Sequence, residues 1–200
     1  MVADFSGGRL SSDGGVLLLR QLDSSLGLTR SVANCLQDRR NPIFIEHTLP
    51  ELLAQRILSM ALGYEDLNDQ DSLRHDPLLA AAAGKTNPEQ ALASAPTLNR
   101  IKEQQGDLFG ERLSSQGLAA NQLRLWLSAF AYVLMERLRT ATLKGTELAQ
   151  ATAGTIRLRL LKLAARVEVS TRRLRVRLAE SAPVQALFAH AWRRLRPAPS

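Results

Sequence analysis

The 200-residue sequence predicts a mainly α fold with a small C-terminal β-hairpin, and three observations carry that prediction. Leu123, Leu127, Phe130, Leu134 and Leu138 recur at three- and four-residue spacing, with Leu125, Val133 and Met135 widening the apolar surface, so residues 123–138 read as a long core helix. Hydrophobic residues make up 45% of the chain but aromatics only 4%, which leaves leucine and alanine to fill the interior. Val167 and Val169, then Leu174, Val176 and Leu178, form two period-two runs around Ser170–Arg173, the pattern of a hairpin.

Taken in order, Gly7-Gly8 and Asp13-Gly14-Gly15 read as turns, since glycine reaches positive φ without penalty. A helix follows over 15–26, with Val16, Leu19, Leu22 and Leu26 on one face. Thr29–Leu36 gives a second short helix, closed by the charged turn 38–42. Thr48, Pro50 and Glu51 make a capping box, and Leu52, Leu53, Ile57, Met60 and Ala61 supply a buried stripe that ends at Gly63. Asp76 caps a helix with Pro77 at its first position, and 88–93 starts another that Pro96 ends. After the long helix, 142–153 is a polar linker. Over 155–161, alternation and helical spacing compete, and Pro183 opens a closing helix with Val184, Leu187, Phe188, Ala191, Trp192 and Leu195 inward.

Several chemistries find no support. The glycines have neither dinucleotide-fold nor P-loop spacing. Glu65, Asp66, Asp69 and Asp71 lack the EF-hand pattern and read as solvated or capping residues. His47, His75 and His190 are widely spaced and read as surface or helix-end residues, and Cys35 stands alone with no evident base. Glu103, Asp107 and Glu111 would share one helical face, which is not a convergent metal site. No secretory h-region stands near the start, and the longest uncharged apolar run, Leu125–Met135, is too short to span a bilayer, so a cytoplasmic chain without a membrane partner is expected.

Charge is placed unevenly. Residues 1–103 hold 10 Lys/Arg against 13 Asp/Glu, and residues 104–200 hold 16 against 6. A basic half suits phosphate neutralisation. The candidate nucleic-acid-binding residues are Arg157 and Arg159, the row Arg173, Arg175 and Arg177 on the polar face of the hairpin, and Arg193 and Arg194 on the last helix. Weak, largely non-specific DNA binding is expected from them. The structural alternative is protection of an edge strand by charge.

The segment Asn99–Arg112 followed by Ala120–Val133 resembles the C-terminal part of bacterial insertion-sequence transposases, the IS1380-like group. Val2–Arg20 and Leu62–Asp69 resemble the N-terminal part of the same proteins, and Leu92–Arg100 the segment just before their catalytic core. The resemblance implies a helical N-terminal part over 1–98 and a basic C-terminal part over 99–200, joined near 97–100. Between them an RNase-H-like core with an Asp-Asp-Glu triad is missing, so the chain reads as the flanks of that fold rather than a complete α/β core. Carried across, the family's Tyr-x-x-Arg-x-x-x-Glu arrangement falls on Ala91, Ser94 and Leu98, and both core aspartates lack a counterpart. The intact family would use Mg²⁺; this chain is expected to need no cofactor and to be inactive. Three functional alternatives stand beside each other: a dead remnant, a regulatory nucleic-acid-binding protein that inhibits intact transposase by mixed oligomers, and a helical structural protein unrelated to DNA. The stripe Leu123–Leu134 would have lost its partner with the core. It would then be buried by the N-terminal helices, by a second copy of the chain or by non-specific association, and self-association, association with intact transposase or loose packing is expected rather than a compact monomer.

Overall fold

The computed structural model describes residues 8–38, 40–100, 116–170 and 173–196. It is mainly helical with one small antiparallel sheet, and the described residues contain no complete α/β core. The elements are β1 (Arg9–Ser11), α1 (Val16–Leu26), α2 (Leu28–Asn34), a 3₁₀ turn (Pro42–Phe44), α3 (Leu49–Leu62), α4 (Asp69–Leu73) and α5 (Pro77–Ala82). There follow α6 (95–100), α7 (Gln116–Thr142), α8 (Ala153–Ile156) running into a single π turn (Arg157–Leu161), β2 (Ala165–Val169), β3 (Leu174–Leu178) and α9 (Gln185–Leu195).

The central element is α3. Thr48 accepts from the Glu51 amide while the Glu51 carboxylate accepts from the Thr48 amide, the reciprocal capping box that its sequence specifies. Gly63 ends it in the left-handed region at φ 99°. Between these stops nearly every side chain is buried, including the polar Gln55, Arg56 and Ser59. Each of the three is satisfied internally. Gln55 donates to Gln70 and the Ala93 carbonyl, Ser59 bonds Gln70, and the Arg56 guanidinium donates to the carbonyls of Tyr64, Glu65 and Asp66. Burial lowers the Arg56 pKa from its ordinary value, with Arg124 adding to the effect.

Leu123, Leu127, Leu134 and Leu138 are buried and Phe130 is half-buried, in one core with Val16, Leu19 and Leu22 of α1 and the apolar residues of α3. Of the three ways to bury this stripe, the chain uses its own helices: α1 and α3 of the N-terminal part, with α9, pack on α7. The helix is not a core helix all round, however. Leu125 and Val133, read as widening the buried surface, are exposed, while Met135 is buried. Leu26 is likewise exposed, and Leu18 takes its place in the core.

Three further readings need correction. Gly14 and Gly15 do not have positive φ; the glycines that do are Gly8, Gly27, Gly63, Gly84 and Gly145. The role of Gly14 and Gly15 is close approach, because the Gly14 amide donates to Leu163 O at 2.7 Å and the Gly15 amide to Leu161 O at 3.0 Å, seating the chain on the backbone at the end of the π turn and just beyond it. Residues 88–94 form no helix, and α6 begins around Pro96 instead of a helix ending there, since the fixed φ of proline suits a first helical turn. His47, read as a surface or helix-end residue, stands at the start of α3 but is buried, and its Nδ1 has no protein partner.

Burial lowers the His47 pKa below 6.5, with Lys85 as the next cause. The unfolded chain then protonates first. Stability present above pH 6.5 is lost as pH falls from there through the folded-state value. Chemical denaturation at a series of pH values should show this loss, and His47→Gln should flatten it.

The hairpin follows its predicted period. β2 pairs with β3 in the register Arg166↔Arg177, Val167↔Val176 and Glu168↔Arg175. Unforeseen is β1, which adds a third antiparallel strand through Arg9↔Val167 and Ser11↔Ala165. Among the described residues no helix is long and apolar enough to cross a membrane.

Candidate nucleic-acid interface

Alternation along β2 and β3 turns Ala165, Val167, Val176 and Leu178 inward. The opposite face presents Arg166, Glu168, Arg175 and Arg177, joined by the exposed Leu10 of β1. Two of the sequence candidates, Arg175 and Arg177, thus share a surface with Arg166, which sequence reasoning missed. The signal was present: once the turn is set at Ser170–Arg173, the register brings Arg166 opposite Arg177. Glu168 tempers the face, lying 3.1 Å from Arg177 Nε and 3.9 Å from Arg166 Nε. Arg173, at the turn end of the row, lines a polar cleft of about 730 Å³ with Arg20, Lys85, Asn87 and Ser170.

The remaining candidates stand on other elements. Arg157 donates from Nε to Ala61 O at 2.8 Å and from Nη2 to Met60 O at 3.2 Å, so it ties the π turn to the C-terminus of α3. Arg159 is paired with Glu147 at 2.6 Å on the surface. Arg193 and Arg194 are exposed in the last turn of α9, where cations complement the helix dipole. Glu103, Asp107 and Glu111 lie outside the described residues.

One buried carboxylate, Asp13, and one half-buried, Asp76, lie nearby. Asp13 is 1% exposed, takes Lys162 Nζ at 2.7 Å on Oδ1, and accepts from Tyr64 Oη at 2.8 Å and Ser12 Oγ at 2.9 Å on Oδ2. The Lys162 ammonium also lies 3.7 Å from the centre of the Tyr64 ring, a cation–π contact. Asp76 accepts from the Leu78 and Leu79 amides and from Ser11 Oγ at 2.7 Å. Burial raises the Asp76 pKa above the ordinary carboxylate value, against those hydrogen bonds. Each carboxylate is thus committed to protein donors. Among the described residues no group of three or more His, Cys, Asp or Glu is placed to hold a metal ion, so the described side chains do not fit the Mg²⁺ site that the resemblance implies.

At the junction, Leu98 lines a small apolar crevice with Leu52 and Leu53 of α3 and Leu123 and Leu127 of α7. It is 5% exposed. The position that the resemblance assigns to the catalytic glutamate is therefore a core position here.

The family model for the Transposase DDE domain group 1 matches residues 1–101 and again 99–200, together the whole chain. The chain belongs to that family. No curated protein and no solved structure matches it. The insertion-sequence, IS1380-like assignment thus rests on both segments.

Proposed function

We propose that this member of the DDE transposase family is an internally shortened form that has lost catalysis and keeps weak, largely sequence-independent affinity for DNA. The observation that carries the reading is Leu98. An acid at the family's glutamate position would have to reach a metal beside the scissile phosphate, whereas this side chain is enclosed between α3 and α7. The absence of any three-acid cluster among the described residues supports it further. A regulatory DNA-binding protein made of the same pieces is the second reading, favoured over a non-folding fragment by the core that both segments share.

The purified chain should give no cleavage or strand transfer on transposon-end DNA in Mg²⁺ or Mn²⁺. Strand transfer that EDTA abolishes would overturn the reading. Binding followed by fluorescence anisotropy should weaken steeply with salt. Replacing Arg173, Arg175 and Arg177 by alanine should reduce the log–log salt slope by about one unit per lost phosphate contact. An unchanged slope would remove the sheet face from the site.

A further inference from the structure

One face of α7 remains to be explained. Leu125 is 67% exposed, Tyr132 64% and Val133 41%, and Trp126 beside them is 42% exposed. They form a second apolar stripe along a 27-residue helix whose first stripe is already buried. Four large apolar side chains on one exposed helix face are more than scattered surface hydrophobics.

We infer that this face pairs with the same face of a second copy, α7 against α7 antiparallel about a two-fold axis at Ala129. The argument is the symmetry of the stripe. An isologous contact requires that if one residue meets another, the second meets the first. Centred on the small, exposed Ala129, Trp126 and Tyr132 stand three residues to either side, and Leu125 and Val133 four residues to either side. Large apolar residues therefore meet large apolar residues in both directions, while the alanine at the crossing lets the two backbones approach. Farther out, Gln122 lies opposite Glu136 and Asn121 opposite Arg137, so each charge meets a neutral amide and no like charges face one another. A cleft of about 140 Å³ between Tyr132, Met135, Glu136 and Arg139 of α7 and the 151–156 segment lies at the end to which this register brings Leu125 and Trp126 of the second copy. It gives an anchor side chain somewhere to go. The inference does not depend on the loss of catalysis.

Sedimentation velocity tests it. A patch of this size sits below about 1,200 Å² of total buried area, so dimerisation is expected at about 10–100 µM. The sedimenting species should pass from the 22.0 kDa chain to twice that mass and no further. Leu125→Lys with Val133→Lys should keep the helical circular dichroism and stay monomeric throughout. In a Cys35→Ser background, Ala129→Cys lies on the axis and should cross-link into a disulfide dimer under mild oxidation. Arg137→Cys, off the axis on the same helix, should not. A monomer at every concentration, as expected if the face serves a different partner, would overturn the inference. So would species larger than a dimer, a dimer that survives the double lysine variant, or equal cross-linking from both cysteines.

Discussion

Gly15→Ala is expected to prevent cooperative folding. A Cβ at this position would overlap Leu161 Cα and lie 2.5 Å from Leu160 O, contacts with backbone that no rotamer change relieves. The same peptide is held by the hydrogen bond from the Gly15 amide to Leu161 O, so α1 cannot retreat without breaking the junction between the start of the chain and the π turn. Overpacking against a side chain costs roughly 1–3 kcal/mol. Against fixed backbone the loss should exceed about 3 kcal/mol, a large share of the stability of a domain this size. Gly154→Ala is the control. Its nearest neighbour would be Thr152 Oγ1 at 3.8 Å, φ is not positive, and the site lies in α8. That change should be neutral or stabilise by a few tenths of a kcal/mol to about 1 kcal/mol. Urea denaturation of both variants would decide the matter, and a Gly15→Ala transition close to the parent's would show that the close approach is not needed.

Leu98→Glu should destabilise the protein severely and restore no activity. The side chain sits among Leu52, Leu53, Leu123 and Leu127, with Arg56 and Arg124 at the crevice wall, and Arg56 is already committed to three carbonyls. A carboxylate there must either stay neutral or force the crevice open. Leu98→Ala measures the packing alone and should cost about 2–5 kcal/mol, and Leu98→Met, which keeps the volume, less than about 1.5 kcal/mol. Glutamate should be the worst of the three by denaturant midpoint. Metal-dependent strand transfer by a folded Leu98→Glu chain would contradict the reading of the junction.

What the sequence made legible was local. The Thr48–Glu51 capping box, the Asp76 cap on α5 and the hairpin around Ser170–Arg173 each depend on residues a few positions apart, and all three are present. The long helix was visible for the same reason, but its apolar residues surround it, so periodicity could not say which side would be covered. The exposed stripe is therefore visible only once α1, α3 and α9 are in place. What was hidden is long-range. β1 is three residues with no alternation to detect and forms only because β2 offers an edge. Lys162 meets Asp13 across 149 positions, and Arg157 caps a helix that ends near Ala61. Arg157 looked like a phosphate ligand because composition counts cations without showing what each one already holds. Pro96 was misread because proline suits the first turn of a helix as well as it ends one.

The central claim is that the two matched segments of this family fold around one core that closes across the junction. Native-state hydrogen exchange tests it most directly, because it assigns an opening free energy to each amide. The slowest amides of α3, from one segment, and of α7, from the other, should share one protection free energy equal to that of global unfolding. Leu98→Ala should lower both by the same amount. If α3 stayed protected while α7 exchanged freely, or if only one of the two responded to Leu98→Ala, the two segments would not share a core.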